Sequence, residues 1–338
     1  MALSRAQSAA FEKARAPGAG GQAVSLSDSA VRALVAITAR DLGLTSLAGL
    51  NTMDDREFYE IAPQDILLEG EASGLDAYET LLRIGPLDTD TYFLSLAALH
   101  RARLKFANIF CLQATPSLEQ VGPRGLLQYG GLSAEALGSL LILRKWMYDI
   151  DNRAAQETGY LFEPVMAGAI GGSPIPAGSS PVQRGGTGRG RQVDCLRGTK
   201  AYEIKIRVTI AASGQGRWGE ELSFPADCEA SGFTPILLVL DGTENPKLAE
   251  LAETFIRHGG HAHIGEDAWA HLEAEAGPTM SVFIEKYIRD PFDDLLKHTP
   301  TDIPELRLRL RSDNIHLQIG TETLNVNRSG TTTPSTGP

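Results

Sequence analysis

Hydrophobic residues recur at helical spacing along the first part of the chain. Ser27 precedes an amphipathic segment that reaches Arg40, and its hydroxyl suits the N-cap position of a helix. The same period predicts a helix over residues 91–107 and another that begins at Ser133. We therefore expect residues 26–150 to form a mostly helical region.

After residue 150 the pattern changes to alternating helices and strands. A helix with Pro164 near its start is followed by a loop rich in Gly, Pro and Ser over residues 173–191. The segments QVDCLRG and AYEIKIRVTIAA predict two strands, and the apolar run TPILLVL predicts a strand buried on both faces. For residues 151–300 this order predicts an α/β fold, in which helices flank a central mixed sheet on both faces.

The two ends of the chain carry other patterns. Residues 1–25 are rich in Ala, Gly and Ser without a hydrophobic period, which predicts a flexible arm. Strict alternation in LRLRLR, NIHLQIG and ETLNVNR predicts a small antiparallel β meander within residues 301–328. Residues 329–338 contain only small polar residues, Gly and Pro, and we expect a disordered tail.

Composition narrows the class of protein. The chain of 338 residues is 42% hydrophobic, as in an ordinary globular protein, and contains no apolar run long enough for a membrane helix. Its three cysteines form no CxxC pair, which argues against a disulfide scaffold and a four-thiolate zinc site. The N-terminus lacks the apolar region of a secretory signal. We therefore expect a cytoplasmic protein with no membrane partner.

The charge is unevenly distributed. A net charge of −11 argues by itself against nucleic-acid binding, which depends on neutralising phosphates. Residues 163–220, however, hold eight basic residues against four acidic ones. A local basic strip on an acidic body can still direct a polyanion to one place.

One cluster of residues can support hydrolytic chemistry. Asp194 ends one predicted strand, and Glu203 and Lys205 share one face of the next, since residues i and i+2 of a strand project together. Two carboxylates and the carbonyl of Ile204 would form an oxygen-rich site for Mg²⁺, and the lysine could assist a metal-bound water. The alternative is that Glu203 and Lys205 lie on the solvent face of an amphipathic edge strand.

The arrangement resembles the PD-(D/E)xK nuclease core, with Asp194 and E203-x-K205 as its motif. Val193 stands where that superfamily often has proline, at a variable position. Many members add a glutamate from the preceding helix, and Glu163 in FEP is the matching candidate. The resemblance therefore implies a site in which Asp194, Glu203 and Lys205 are catalytic and Glu163 contributes to metal binding.

A narrower resemblance covers about residues 140–260 and is most specific in IKIRVTIAASGQGRWGEEL. This segment resembles the ApaLI-like family of type II restriction endonucleases. The resemblance implies a homodimer that cleaves double-stranded DNA with Mg²⁺ at a short palindrome, with GTGCAC as the candidate site, and leaves 5′-phosphate ends. It also implies a prokaryotic host with a cognate DNA methyltransferase, and the helical region would then serve dimerisation, DNA contact or both.

Four arginines and one glutamine near the motif are the candidates for DNA contact. They lie in the loop GGTGRGR, on the strand after the motif and in the glycine-rich segment SGQGRWGEE: Arg189, Arg191, Arg207, Gln215 and Arg217. An inert linker and a solvated turn are the structural alternatives for the two glycine-rich segments. A nuclease of DNA repair or recombination with the same core, and a catalytically silent DNA-binding module, remain the alternatives for the whole protein.

Overall fold

The computed structural model describes residues 3–17, 24–44, 56–206, 215–298, 301–302 and 304–328, without the side chains of residues 215–217. The α-helices are α1 (Arg5–Arg15), α2 (Asp28–Asp41), α3 (Gly74–Ile84), α4 (Thr89–Leu112), α5 (Leu118–Val121), α6 (Ala134–Ala169), α7 (Gln215–Ala230), α8 (Pro246–Arg257), α9 (Glu266–Ile284) and α10 (Asp290–Lys297). The strands are β1 (Ser173–Ile175), β2 (Val193–Arg197), β3 (Lys200–Lys205), β4 (Thr234–Val239), β5 (His261–Ile264), β6 (Leu306–Leu310), β7 (Asn314–Ile319) and β8 (Glu322–Asn327).

The N-terminal segment corrects one expectation. Residues 5–15 form α1 rather than a flexible arm, and the helix begins with a capping box between Ser4 and Gln7. Phe11 is fully buried, and its ring stacks on Tyr78 at 4.9 Å between centroids and on Phe93 at 6.3 Å. Packing of this one aromatic residue thus stabilises α1. The local sequence did not show this, because the rings that Phe11 contacts lie far along the chain.

Helix α6 is longer than the sequence pattern predicts. It begins where the sequence predicts, and the hydroxyl of Ser133 accepts a hydrogen bond from the N–H of Ala136. It then continues for 36 residues, through the predicted boundary at residue 150 and through Pro164, so the prediction of a separate second helix is wrong. Proline removes one backbone hydrogen bond, and burial of the turn that follows offsets this loss; that turn contains Val165 and Met166.

The central sheet has five strands in the order β1-β2-β3-β4-β5. The first three strands pair antiparallel, and β3, β4 and β5 pair parallel, which confirms the predicted mixed sheet. Helices α7 and α8 cover one face through a core that includes Phe224 and Phe255. Helices α6 and α9 cover the other face, and α2 and α4 belong to the same core. The N-terminal helices and the sheet are therefore packed around shared apolar residues.

The C-terminal residues form the expected meander, in which β7 pairs antiparallel with both β6 and β8. Ile315 is buried against Trp146 and Ile150 of α6, and Phe106 and Phe110 of α4 complete this small core. The C-terminal sheet is thus attached to the outside of the two longest helices.

Cys195 and Cys228 are buried free thiols, and Cys111 is a half-buried one. In the described ranges, no helix has both the length and the apolar character that a membrane span requires.

Candidate active site

A hairpin brings the predicted catalytic residues together. Strands β2 and β3 pair with Cys195 opposite Tyr202, so the next positions outward are Asp194 and Glu203 on neighbouring strands. Lys205 follows on the same face as Glu203, and its Nζ lies 2.9 Å from Glu203 Oε1. The cluster expected from the spacing of the sequence is therefore present, and its members are mostly shielded from solvent.

Asp194 is the most buried member, with 8% of its surface exposed. Its Oδ2 accepts a hydrogen bond of 2.9 Å from the backbone N–H of Ile204. Burial, followed by the nearby carboxylates of Glu203 and Glu163, raises the pKa of Asp194 well above its usual range. The hydrogen bond from Ile204 and the charge of Lys205 offset this increase only in part.

Lys205 lies between two carboxylates. Besides Glu203, its Nζ is 3.4 Å from Oε1 of Glu221, which projects from the start of α7. Burial by itself lowers the pKa of Lys205, but the carboxylates of Glu203, Glu221 and Asp194 together outweigh burial and raise that pKa above its ordinary value. Lys205 is therefore held as a charged ammonium in a half-closed site.

Sequence reasoning missed Glu221. Residues Glu220 and Glu221 are consecutive, and on a helix consecutive side chains point about 100° apart. Glu220 accordingly pairs with Arg184 of the basic loop, which comprises residues 184–191, while Glu221 pairs with Lys205. The doublet at the end of SGQGRWGEE was the available signal, and only the fold shows that its two members face different partners.

Glu163 belongs to the same neighbourhood. It lies on α6 next to Pro164 and is half-buried, and its charge is one of the causes of the raised pKa of Asp194. The helix that packs against β2 thus brings a third acidic group towards the hairpin, as the sequence resemblance implied.

The charges of the cluster fit a bound cation. Three carboxylates lie around the ammonium group of Lys205, those of Asp194, Glu203 and Glu221, and the carboxylate of Glu163 lies near Asp194. The N–H and C=O groups of one residue in an extended strand point to the same side, so the carbonyl of Ile204 points to the edge where Asp194 lies. Among the described residues, however, no three acidic, imidazole or thiol groups are close enough to hold a metal ion by themselves. This donor set suits Mg²⁺, which is bound through one or two carboxylates and keeps several waters.

The glycine-rich loop is an ordered hairpin. Gln183 bridges to Gly190, and the N–H of Arg184 donates to the carbonyl of Arg189 at 2.8 Å. Gly186 and Gly188 take φ values of 79° and 64°, the left-handed conformation that the turn requires and that glycine adopts readily. The side chain of Arg189 is exposed at the tip, which is where a phosphate contact would be made.

Arg191 does not occupy the exposed position that we expected for a DNA contact. Its side chain is 6% exposed and pairs with Asp227 of α7, and its guanidinium also donates to Ser223 Oγ at 3.0 Å. The same guanidinium stacks over the ring of Phe224, 5.3 Å from its centroid. Asp227 also accepts from the N–H of Gly185 at 2.7 Å. Arg191 and Asp227 therefore attach the base of the loop to α7, and the arginine points into the protein.

The remaining predicted DNA contacts cannot be placed. Arg207 lies outside the described residues, and Gln215 and Arg217 lie in the first turn of α7, where the side chains are not described. Their assignment stays a prediction from the sequence.

Comparison with known proteins places the chain in a family. The family described as ApaLI-like restriction endonuclease matches residues 77–289. A relative from Acetobacter pasteurianus, the type II restriction enzyme ApaLI, is 48% identical over 253 residues, which cover 69% of this chain and 68% of that protein. The matched region extends on both sides of the segment that carried the sequence resemblance and includes the whole hairpin. No solved structure matches the chain.

Proposed function

Because this chain belongs to the ApaLI-like restriction endonuclease family and is therefore a site-specific deoxyribonuclease, we propose that it hydrolyses double-stranded DNA at a short palindrome in a Mg²⁺-dependent reaction. The observation that carries the proposal is the hairpin that joins Asp194, Glu203 and Lys205 in one shielded cluster. GTGCAC is the candidate palindrome, and the products carry 5′-phosphate and 3′-hydroxyl ends.

The order of elements supports a PD-(D/E)xK core. Helix α6, which carries Glu163, precedes the hairpin of β2 and β3. Helix α7 then connects this hairpin to the buried strand β4, which pairs parallel with β3. In this core Asp194 and Glu203 would hold the metal ion together with the carbonyl of Ile204, and Glu163 would contact it through a water that Mg²⁺ keeps. The bound Mg²⁺ would supply Lewis-acid activation of a water and would neutralise charge on the scissile phosphate.

The protein's own groups position the reaction. Lys205, charged and fixed between Glu203 and Glu221, donates hydrogen bonds to the attacking water or to a phosphate oxygen. The N–H of Ile204 fixes the orientation of the Asp194 carboxylate, so that its second oxygen faces the cluster. Glu221 is a positioning residue, because it acts through the ammonium group and not on the substrate.

Phosphate contacts are proposed for the basic loop beside the cluster. Arg189 at its exposed tip is the member that the described structure supports best. Arg207, Gln215 and Arg217 remain candidates for contacts to phosphates or base edges. Since Arg184 pairs with Glu220, next to Glu221, the loop and the catalytic lysine are attached to the same turn of α7.

A homodimer is proposed because a two-fold protein matches a palindrome with one active site for each strand. An unpartnered apolar surface at the start of α6 supports it. Leu140, Leu143 and Met147 follow helical spacing on one side of that helix, and Leu140 and Met147 are exposed. Nearby, Leu126 is 76% and Leu127 94% exposed, around a satellite core of only three buried residues. Exposed apolar surface of this kind marks protein–protein contacts, and we propose that a second copy of the chain covers it.

The oligomeric state gives a direct test of the dimer. Sedimentation analysis should give twice the chain mass, and Leu140→Glu with Met147→Glu should give a monomer that remains folded. A wild-type monomer at high protein concentration would contradict the dimer without affecting the assignment of the catalytic residues.

The proposal also includes a cytoplasmic location and a cognate DNA methyltransferase that protects the same site in the host.

Digestion of a plasmid of known sequence tests the proposed reaction. We expect discrete fragments in Mg²⁺, no cleavage in EDTA, and ends that map to one palindrome and can be ligated without prior phosphorylation. Undiminished cleavage in EDTA would overturn the metal-dependent reaction, and a smear of fragments would contradict recognition of a palindrome.

A further inference from the structure

The C-terminal sheet has two chemically distinct faces. The register of β6, β7 and β8 places the leucine, isoleucine and valine side chains on one face, which packs in part on α4 and α6. The opposite face carries only polar and basic side chains, and none of its strand positions is acidic: Arg307, Arg309, Asn314, His316, Gln318, Thr323, Asn325 and Asn327. In a chain with a net charge of −11, a face of this composition is unusual.

The side chains of this face form cross-strand rows. One row places Arg309 opposite His316 and His316 opposite Asn325, and directly opposed side chains have Cβ atoms about 5 Å apart. Within it, Nδ1 of His316 donates to Oδ1 of Asn325 at 2.6 Å. The guanidinium of Arg309 makes no hydrogen bond or ion pair with any described residue, and its side chain is exposed. The next row places Gln318 opposite Arg307, which pairs with Glu305 at the strand's start.

The sheet is fixed firmly to the body of the protein. Arg328, which follows β8, is buried, and its guanidinium donates to the carbonyls of Cys111 at 3.3 Å, Gln113 at 2.6 Å and Arg311 at 3.0 Å. These bonds tie the last strand to the end of α4 and to the first hairpin of the sheet. The polar face is therefore displayed on a rigid element, which is what precise recognition requires.

We propose that this polar face, defined by the eight residues named above, binds the DNA duplex that the protein cleaves and that Arg309 and Gln318 contact base edges in the major groove. Arginine pairs with guanine and glutamine with adenine through two hydrogen bonds each. Neighbouring strands lie about 5 Å apart, so the ribbon formed by β6 and β7 fits a groove about 12 Å wide. The proposal rests on the family's DNA cleavage and is independent of the roles given to the active-site residues.

Competition binding in Ca²⁺, which replaces Mg²⁺ without supporting cleavage, tests the proposal. The probes are a short duplex that carries the site mapped by wild-type digestion and a duplex with the same bases scrambled. Arg309→Ala and Gln318→Ala should each weaken binding to the mapped site by roughly 5- to 150-fold, and binding to the scrambled duplex by much less. The matched control is Arg257→Ala on the exposed surface of α8, which removes the same charge and should change neither affinity.

Two results would overturn the proposal. Equal losses on both duplexes would mean that the face makes phosphate contacts only, and unchanged binding by both variants would mean that it does not bind the duplex. An unchanged thermal midpoint is expected, because both side chains belong to the outer face of the sheet. Failure of the wild-type protein to cleave in Mg²⁺ would instead contradict the proposed reaction, so the two failures are distinguishable.

Discussion

The guanidinium of Arg191 and the carboxylate of Asp227 form an ion pair in the interior, although Arg191 comes from the basic loop and Asp227 from α7. Each residue is only 6% exposed. A buried pair of this kind is costly to break, because removal of one partner leaves the other charge without compensation. A substitution of Arg191 is therefore expected to act on the stability of the fold.

We predict that Arg191→Ala reduces the stability of the protein and does not selectively weaken DNA binding. The free energy of unfolding should fall by about 3–5 kcal/mol, and Asp227→Ala should have a similar effect. Urea denaturation with both single variants and the double variant measures the coupling between them. An unchanged unfolding free energy together with lost DNA binding would restore Arg191 to the set of DNA contacts.

Arg189 should behave differently because its side chain is exposed at the tip of the loop. Arg189→Ala should weaken binding to mapped and scrambled duplexes equally and make the slope of log affinity against log salt shallower by about one. The measurement is a salt titration of binding in Ca²⁺. Lys297→Ala, which removes a charge from the exposed end of α10, serves as control. An unaltered slope for Arg189→Ala would contradict a phosphate contact at the loop.

Changes in the catalytic pair should abolish cleavage without unfolding the protein. We expect Glu203→Gln and Lys205→Ala each to lower the cleavage rate by at least about 100-fold, since each removes a group that we propose acts at the reacting phosphate. Lys200→Ala is the matched control, because Lys200 lies at the other end of β3 and pairs with Glu275 at 2.8 Å. Near-normal cleavage by Glu203→Gln or Lys205→Ala would show that the two residues form a structural ion pair that takes no part in the reaction.

The raised pKa of Asp194 predicts a pH-dependent change in stability. In the unfolded chain the carboxyl group of Asp194 loses its proton at lower pH than in the folded protein. Folding therefore becomes less favourable as the pH rises from the ordinary pKa of aspartate to the raised pKa of Asp194. Without metal, Asp194→Asn should therefore raise the thermal midpoint near neutral pH, and the gain should shrink towards about pH 4.

Thermal melts over this pH range, with and without Mg²⁺, provide the measurement for Asp194→Asn. Added Mg²⁺ should stabilise the wild-type protein more than the variant, because a cation compensates the buried carboxylate. A variant that is less stable than the wild type at neutral pH in EDTA would show that the Asp194 carboxylate is not under electrostatic strain.

Local pattern was sufficient for several elements of the fold, including the hairpin that carries Asp194, Glu203 and Lys205. The predicted N-cap at Ser27, the helix start at Ser133, the strands β2 and β3 and the C-terminal meander all appear in the structure, because capping and alternation depend on neighbouring residues. The spacing of Asp194, Glu203 and Lys205 was likewise readable, since a short hairpin leaves few ways to arrange two adjacent strands.

Tertiary packing decided what each charged side chain faces. Arg191 and Arg189 lie two residues apart in one glycine-rich loop, yet one is buried against Asp227 and the other is exposed. Glu221 reaches Lys205 only because α7 packs on the sheet beside β3. Local sequence sets the backbone conformation through short-range sterics and hydrogen bonds, whereas burial and ion pairing depend on residues that folding brings together from distant positions.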